Sequence, residues 1–332
     1  MLIIVEGPPS SGKTTLVREL SLALTEQEGA DAVTVFCGAQ GTGRVLRGNK
    51  FLRRYVDVFE DYAPDGGEHI ICDEWHITRF VYNRIFSPST GVQGSLVDYV
   101  DLKMAQLGAV VVACDASDKT LNNRMDRINA YLRIPPRVRD LLPTIREAYE
   151  GAARRGLTTV IPTKEQDPDQ IITTARLLQD QAREFYSRIP WYLGPTNPQA
   201  VLCDMAFTEV DPLTPSDHSS AFYLHRALEL GNVEPRLSPF HTFGLLNTAF
   251  LSAQKTRDAL RILGHPRVMA LGPITRDHLT RAGVAHDVFR HPGVMRLHHL
   301  STDDQFSYGR LLYTAAQSDK KSLNYLNWDP TL

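Results

Sequence analysis

A glycine-rich segment near the amino terminus constrains this chain more than any other stretch. Gly7–Thr14 reads Gly-Pro-Pro-Ser-Ser-Gly-Lys-Thr and fits the pattern G-x-x-x-x-G-K-[ST]. The apolar run Leu2–Val5 precedes it, and a helix-like segment, Thr15–Leu24, follows it. Strand, glycine loop and helix in this order predict a phosphate-binding loop, because backbone N–H groups and a helix N-terminus cradle an anion. The alternative is a chance Gly/Ser turn, and the four constrained positions in this context argue against it.

The residues of this loop predict a site for ATP and Mg²⁺. Lys13 is expected to reach the β- and γ-phosphates, and the hydroxyl of Thr14 is expected to bind Mg²⁺. The predicted nucleotide-binding residues are Gly7, Ser10, Ser11, Gly12, Lys13, Thr14 and Thr15. The chain is therefore expected to bind a nucleoside triphosphate.

Length and composition are those of an ordinary globular protein of two domains. The chain has 332 residues, of which 42% are hydrophobic and 22% charged, and a net charge of −2. This charge gives no overall bias towards nucleic acid, so such a partner needs a local basic patch. No apolar run approaches the roughly 18 residues that span a bilayer, so no membrane partner is expected. The scattered cysteines favour reduced thiols in a cytoplasmic protein: Cys37, Cys72, Cys114 and Cys203.

The order of the apolar runs predicts an α/β fold with two sheets. The first five runs alternate with helix-like segments, which is typical of a buried parallel sheet: Leu2–Val5, Ala32–Phe36, His69–Cys72, Ala109–Cys114 and Thr158–Ile161. We expect a P-loop kinase sheet domain over residues 1–188 and a Pro- and Gly-rich linker over 189–198. A smaller α/β/α domain is expected over 199–318, with strands at Ala200–Cys203, Phe243–Leu246, Val268–Leu271 and Asp287–Phe289. Residues 319–332 are expected to form a docking segment or a frayed end.

Two carboxylates close the third run, which ends with Cys72-Asp73-Glu74. An acidic residue at the end of a buried strand is how P-loop enzymes hold Mg²⁺. Asp73 is the first candidate for a metal ligand and Glu74 the second. The alternative is a strand-end carboxylate that caps the following helix, which is common.

Basic residues follow two of the predicted strands. Arg44 and Arg47 belong to the first basic segment, and Arg124 and Arg127 begin the second. In phosphotransferases an arginine-bearing lid closes over the transferred phosphoryl group and excludes water. Arg124 and Arg127 are three residues apart and therefore share one helix face. For a single arginine a solvated basic face is an equal alternative, whereas the cluster as a whole favours a lid.

Residues 1–185 resemble the thymidylate-kinase branch of the P-loop nucleotide kinases. The resemblance is carried by the loop, by Asp73-Glu74-Trp75-His76 with Val81-Tyr82, and by Leu142–Tyr149, which is similar to the helix after the lid in that group. In that family an acidic residue followed by an arginine ends this strand and helps to bind phosphates and substrate. This chain has Asp73 and then Glu74 in the place of the arginine. Arg79 or Arg84 could replace that arginine.

The second half resembles the uracil-DNA-glycosylase fold. Asn247 closes the run Leu245-Leu246-Asn247, as the base-reading Asn of that family does, and His291-Pro292-Gly293 is similar to its closing loop. Cys203–Phe207 stands where the family has a Gly-Pro-Gly turn that positions water, and this chain lacks the turn. The resemblance therefore implies a base- or DNA-binding role more than hydrolysis. The alternative is that Asn247 and His291 only brace loops. No metal-binding spacing accompanies the histidines, and no structural metal is expected.

A P-loop kinase joined to a glycosylase-like domain resembles phage enzymes that phosphorylate 5-hydroxymethyluracil in DNA. This resemblance implies that ATP, Mg²⁺ and DNA with a modified pyrimidine are the ligands. It also implies that a phage-encoded protein of this kind acts in the host cytoplasm. Arg44, Arg47, Arg79, Asn247 and His291 are candidate substrate contacts, and Trp75, His76 and Tyr82 are candidates for stacking on the base. Packing in the core is an equal alternative for Trp75 and Tyr82. Two other functions stay open, a deoxynucleoside monophosphate kinase and a DNA-binding NTPase switch.

Overall fold

The chain folds into two compact units that are not consecutive in sequence. The computed structural model describes residues 1–29, 33–37, 69–86, 94–129, 136–162, 167–189, 191–205, 219–294, 301–319 and 324–325. The first unit comprises Met1–Gln93 and Leu107–Arg183, and the second comprises Gly94–Gln106 and Glu184–Leu332. Both are α/β units, and each is built on one sheet. Among the described helices, none has the length and apolar character needed to cross a bilayer.

Five parallel strands form the sheet of the first unit: β1 (Leu2–Glu6), β2 (Val33–Cys37), β3 (His69–Asp73), β4 (Val110–Ala113) and β5 (Thr159–Pro162). Their order is β2-β3-β1-β4-β5, so β1 lies in the centre. Every residue of β1 is buried, as expected where helices cover both faces of a parallel sheet. Val5 is paired with Asp73 and Glu6 with Ala113, so the loop after β1 begins at the edge where β3 and β4 end.

Helices of the first unit connect these strands and cover the sheet. One face packs against α1 (Lys13–Glu28) and α7 (Pro168–Ser187) through a cluster that includes Val5, Leu20 and Ile172. This cluster excludes water from the sheet beneath the glycine loop, and burial of its apolar side chains is the main stabilising contribution to the unit. The described helices of this unit are α1 (Lys13–Glu28), α2 (His76–Phe86), α4 (Asp118–Asn129), α5 (Pro136–Asp140), α6 (Leu142–Arg155) and α7 (Pro168–Ser187). Helix α3 (Gly94–Gln106) comes between α2 and α4 in the chain but belongs to the second unit.

Six strands form the sheet of the second unit: β6 (Tyr192–Leu193), β7 (Ala200–Asp204), β8 (Phe243–Asn247), β9 (Arg267–Leu271), β10 (Asp287–Phe289) and β11 (Asn324–Tyr325). Their order is β11-β10-β9-β7-β8-β6, and β6 alone among them runs antiparallel to its neighbour. The helices α8 (Ser220–Gly231), α9 (Ala253–Ile262), α10 (Pro273–Arg281) and α11 (Thr302–Ala316) complete the unit.

Two segments that the sequence assigns to a linker and a tail contribute strands to this sheet. Tyr192 of β6 is 2% exposed, and its hydroxyl donates to the carbonyl of Pro195 at 2.7 Å. A Cβ at Gly244 would overlap the Tyr192 ring, so a glycine is needed beside it. A Cβ at Gly194 would also meet the Tyr192 hydroxyl, so Gly194 and Pro195 serve the packing of a buried tyrosine as well as a turn. Residues Asn324–Tyr325 pair with β10 at the other end of the sheet.

Helix α3 belongs to the second unit, although the chain reaches it between α2 and β4 of the first. Tyr99 meets the edge of the His225 ring at 5.9 Å, and Gln106 Nε2 donates to the carbonyl of Tyr192 at 2.9 Å. Seven of the eleven described residues of α3 are buried, and the other four are partly buried. The boundary at residue 188 expected from the sequence therefore differs from the division in the structure, because one helix of the first half packs on the second.

Helices α8 and α11 approach one another closely through two glycines. A Cβ at Gly309 would clash with the carbonyl oxygen of Ala227, and one at Gly231 would clash with the backbone of Gly309. Phe243 and Tyr313 meet edge to face at 4.9 Å beneath this contact. Small residues thus allow the two helix backbones to pack against each other.

Candidate active site

The glycine loop has the left-handed backbone that a phosphate cradle requires. Gly7, Ser10 and Gly12 have φ values of 149°, 63° and 106°. A Cβ at Gly7 would clash with the carbonyl oxygen of Cys114, so only glycine fits beside β4. Gly12 is the N-cap of α1 and offers no side chain to its free N–H groups. These N–H groups are therefore left for an anion at the end of the helix.

Lys13 lies buried beneath the loop, with 7% of its surface exposed. Its Nζ donates to the carbonyls of Gly7 at 2.8 Å and Pro8 at 2.9 Å, and it forms an ion pair with Glu74 Oε1 at 3.0 Å. The ammonium group is thus held at the loop by three oxygen atoms. A nucleotide phosphate can replace these oxygens with a stronger anionic partner.

Thr14 and Asp73, the two predicted metal ligands, lie side by side. The Thr14 hydroxyl donates to Asp73 Oδ2 at 3.0 Å. Asp73 ends β3, and Thr14 lies in the first turn of α1, so two different elements place these oxygens together. A hydroxyl and a carboxylate are ligands of the kind that Mg²⁺ takes in nucleotide sites, and the other ligands are usually water and phosphate. The residues present therefore fit Mg²⁺.

Glu74 occupies an uncommon backbone conformation, with φ of 62°. Left-handed residues other than glycine cost on the order of 1 kcal/mol and cluster at functional sites. The Glu74 N–H donates to the carbonyl of Val5 at 3.0 Å, which fixes the turn after β3. The turn directs the carboxylate of Glu74 to Lys13.

Glu6 organises the same turn from the end of β1, although it is not among the site residues predicted from the sequence. It is 2% exposed. Oε1 accepts the N–H groups of Trp75 at 2.9 Å and Ile77 at 3.1 Å, and Oε2 accepts the N–H of Thr78 at 3.2 Å and also its hydroxyl. Glu6 therefore caps α2 from another strand and ties the glycine loop to the turn that carries Asp73 and Glu74.

Burial raises the pKa of the Glu6 carboxyl, although His76 and the hydrogen bond from Thr78 act in the opposite direction. The hydroxyl of Thr78 also lies 2.7 Å from that of Tyr149, which connects this network to α6. A charged residue directly after four apolar residues and directly before the loop is the signal in the sequence that marks Glu6.

The predicted arginines differ in where the structure places them. Arg124 Nη1 donates to the carbonyl of Ser10 in the glycine loop at 3.1 Å. Arg127 lies one helical turn further along α4 and is exposed. Arg44 and Arg47 lie outside the described residues, and so does the side chain of Arg79. Arg124 is therefore the predicted arginine that the described structure brings to the loop.

Two of the three rings predicted to stack on a base are enclosed by the protein. Trp75 is 2% exposed and His76 is fully buried, so the core-packing alternative describes Trp75. Tyr82 is partly exposed and lies 5.4 Å from the ring of Phe86. Burial and the charge of Glu74 raise the pKa of Tyr82, which keeps its phenol protonated beside the site.

A cavity of about 200 Å³ lies beside the start of the loop. Its walls come mainly from β4, β5 and α6, and its polar side chains are those of Glu6, Asp115, Arg146, Tyr149, Glu150 and Arg154. Arg146 is fixed there by Asp115, with hydrogen bonds of 2.9 Å and 2.8 Å. The remaining lining is apolar, which suits a planar ring more than a phosphate.

The second unit brings Asn247 and His291 to one edge of its sheet. Asp204 is paired with Asn247 at the carboxyl ends of β7 and β8. His291 Nε2 lies 3.3 Å from Asp204 Oδ1, and the Gly293 N–H donates to His291 Nδ1 at 3.0 Å. Because Nδ1 accepts, the ring proton is on Nε2 and faces Asp204. The amide of Asn247 is 1% exposed, and its Oδ1 accepts the N–H of Ala249 at 3.1 Å.

Loop and sheet together define the class of the first unit. A glycine loop between the central strand and α1, with Lys13 under it and a carboxylate at the end of the neighbouring strand, is the P-loop type of α/β fold. The first half of the fold prediction is confirmed in this respect.

Comparison with known proteins gives likenesses among solved structures alone. No family model matches the chain, and no curated protein matches it. Similar structures include YorR from Bacillus subtilis in complex with phosphorylated GDP (18% identity, 55% of this chain and 98% of that one, TM-score 0.42). Others are thymidylate kinase from Ehrlichia chaffeensis (19%, 55% and 97%, 0.28) and deoxyadenosine kinase from M. mycoides with products dCMP and dCDP (16%, 56% and 100%, 0.29). The glycosylase resemblance of the second half stays a prediction.

Proposed function

We propose that the protein is an ATP-dependent phosphotransferase that phosphorylates the hydroxymethyl group of 5-hydroxymethyluracil in DNA. The observation that carries the phosphotransfer is the junction of Thr14 and Asp73, 3.0 Å apart at the mouth of a glycine loop that holds Lys13. The DNA acceptor is supported by the second unit, whose sheet edge carries Asp204, Asn247 and His291. A nucleotide kinase needs no such edge.

The chain's own residues divide the work of an in-line phosphoryl transfer. The loop N–H groups bind the phosphates, and Lys13 leaves the carbonyls of Gly7 and Pro8 to neutralise them. Thr14 and Asp73 would hold Mg²⁺, which when bound would neutralise negative charge on the phosphates. Arg124, already on the loop, stabilises the charge on the transferred group.

Glu74 becomes available as a proton acceptor once Lys13 turns to the phosphates. The acceptor hydroxyl oxygen forms a bond to the γ-phosphorus, and the bond between that phosphorus and the bridging oxygen breaks. ADP departs with the electron pair of that bond, and the hydroxyl proton passes to Glu74 or Asp73. Every atom and charge is then accounted for by ATP, the hydroxyl group and one carboxylate.

A deoxynucleoside monophosphate kinase is the second candidate. Two observations favour it, the net charge of −2 and the cavity of about 200 Å³ beside the loop, which suits a free base. It predicts phosphorylation of free monophosphates with no DNA required. A DNA-binding NTPase switch is the third, and it predicts ATP hydrolysis without a labelled acceptor.

The deciding experiment supplies γ-labelled ATP and Mg²⁺ with two separate acceptors. One is DNA that contains 5-hydroxymethyluracil, with the same DNA containing thymine as its control, and the other is a mixture of free deoxynucleoside monophosphates. Label confined to the modified DNA, lost with Lys13→Ala and kept with the exposed Lys119→Ala, supports the proposal. Label confined to free nucleotides overturns it in favour of the second candidate, and release of phosphate with no labelled acceptor points to the third.

A further inference from the structure

Two large aromatic side chains of the second unit lie together at the surface. Trp191 is 47% exposed and Phe250 is 48% exposed. Their ring centroids are 4.9 Å apart with an interplanar angle of 36°. Aromatic rings contribute most to stability when buried, so an exposed pair in contact marks an interaction surface more than a stabilising one.

The strand pairing puts this pair at the ligand-binding edge of the sheet. β6 is antiparallel to β8, with Tyr192 opposite Leu246, so Trp191 lies level with Asn247. The carbonyl of Trp191 accepts the N–H of Asn247 at 3.0 Å. Phe250 follows β8 by three residues. In parallel sheets, ligands bind beyond the carboxyl ends of the strands, which is where Asp204, Asn247 and this pair lie.

The backbone of Trp191 is left-handed, with φ of 67°. For a bulky residue this conformation is an outlier that costs on the order of 1 kcal/mol or more. The sheet pairing and the bond to Asn247 hold it in place. A tryptophan kept at a position that glycine would occupy more easily points to a role for the ring itself.

Positive charge accompanies the pair in the chain. Arg188 precedes Trp191 by three residues, and Lys255 follows Phe250 by five; both are exposed and form no ion pair in the described structure. Ser252 caps α9, whose first turn has no acidic residue. Two exposed cations, and a helix start that carries no acidic side chain, favour phosphate groups beside the rings.

We propose that the Trp191–Phe250 pair is the docking surface for an unstacked base of a DNA strand, with Arg188 and Lys255 contacting the phosphates next to that base. Flat rings beside cations are the combination that binds single-stranded nucleic acid, because every base has a face to stack. The inference rests on the DNA acceptor of the proposed function and adds the place where the strand is held. A free nucleotide and a protein partner are the occupants that the experiment distinguishes from it.

The test measures binding without catalysis. The full-length protein is titrated into a fluorescently labelled oligonucleotide of 12 nucleotides in the absence of ATP, and anisotropy reports the Kd. Trp191→Gly and Phe250→Ala are each expected to raise the Kd by about tenfold, and Trp191→Phe is expected to restore most of the affinity. Trp191→Gly suits its backbone conformation, so unchanged thermal unfolding shows that the lost affinity comes from the ring.

The matched control is Val233→Ala, which truncates another exposed apolar residue of the same unit. Val233 is 37% exposed and follows α8, the helix that returns the chain to the amino end of β8, so it lies away from the proposed surface. Its Kd is expected to stay that of the wild type. Lys255→Ala is expected to reduce the slope of log K against log salt concentration by about 0.7.

Three outcomes would overturn the inference. The ring variants could bind the oligonucleotide as the wild type does; a free deoxynucleotide could compete at the concentration at which the oligonucleotide binds; or no DNA could bind at all. The labelling experiment is read separately. If DNA is labelled and the ring variants bind the oligonucleotide as the wild type does, only this docking surface is rejected. If the ring variants lose binding and no DNA is labelled, only the proposed DNA acceptor of the kinase is rejected.

Discussion

The two sheets of this protein end in chemically different edges. At the carboxyl ends of the first sheet, Lys13, Thr14, Asp73 and Glu74 gather charged groups around a glycine loop. At the same edge of the second sheet, Asp204 is joined by the Asn247 amide and the His291 imidazole, and the exposed rings of Trp191 and Phe250 lie beside β8 and β6. The same topological position is thus equipped for phosphate in one unit and for a planar base in the other.

The two edges differ in the chemical groups that remain available for a ligand after each strand ends. The glycine loop leaves backbone N–H groups free at the start of α1, because Gly12 provides no capping side chain. In the second sheet Asn247 turns back on its own loop, and Trp191 provides a ring instead of a charge. The identity of a few residues after each strand therefore decides the ligand, while the sheet itself decides only where the ligand binds.

The largest effect is expected from a substitution that disables phosphate binding at the first edge and leaves the second edge intact. Lys13→Ala deletes the cation that neutralises the phosphates, and phosphoryl transfer should fall by about 10³-fold. Binding of the labelled oligonucleotide without ATP should stay unchanged, since Lys13 belongs to the other unit. An equal loss of oligonucleotide binding would show that the two edges are not independent.

Next in size is the capping carboxylate of the first edge. Glu6→Gln keeps the shape but turns an NH₂ group towards N–H donors, so a buried donor loses its acceptor. We expect the free energy of unfolding to fall by about 1–3 kcal/mol, measured by urea denaturation. Glu19→Gln, an exposed change on α1, is the matched control and should leave the midpoint where it is. Equal midpoints for the two variants would contradict the capping role.

The contact between Asp204 and His291 at the second edge should have a smaller effect. Asp204→Asn removes the charge that faces His291 Nε2 but keeps an oxygen that can accept the N–H of Met205. The oligonucleotide Kd should rise by about threefold to tenfold, a range typical of weakening one partly exposed charged hydrogen bond. Phosphorylation of free nucleotides, if any is measured, should not change. If the variant phosphorylated nucleotides more slowly but bound DNA normally, Asp204 would act in phosphoryl transfer and not in DNA binding, which would contradict its assignment to the second edge.

The smallest effect concerns acid pH. Burial and the charge of Arg281 lower the pKa of His278, whose Nε2 lies 3.0 Å from the hydroxyl of Thr256. Because the folded pKa is below the unfolded value of about 6.5, the unfolded state takes up the proton first, and stability falls as the pH drops from about 6.5. His278→Gln should flatten this part of the stability curve, followed by thermal unfolding from pH 7 to pH 5. His278 lies in the second unit, so the variant should change the pH dependence of that unit's unfolding. A change in the unfolding of the first unit instead would contradict the assignment.

The sequence was most informative where the signal is local. The glycine loop, the acidic end of β3 and nine of the strands follow from short patterns of apolar residues and turn residues. The charge of Glu6 before the loop is visible in the sequence, but its capping role is not, because its hydrogen bonds reach residues 69 to 72 positions away. Tyr192 and Trp191 were hidden for a related reason, since a two-residue strand among Pro and Gly reads as a linker until its partner strand is known.

Helix α3 has a consequence for how the protein is made. It leaves the ribosome with the first unit, yet its packing partners begin only at Glu184, roughly 80 residues later. At a synthesis rate of about 5–20 residues per second, the apolar side chains of α3, Tyr99 and Leu102 among them, wait roughly 4–17 s for β6 and roughly 6–25 s for the whole of α8 to be synthesised. During translation the nascent chain therefore carries an unmatched hydrophobic helix, and a chaperone that binds such segments would meet it before the second unit is complete.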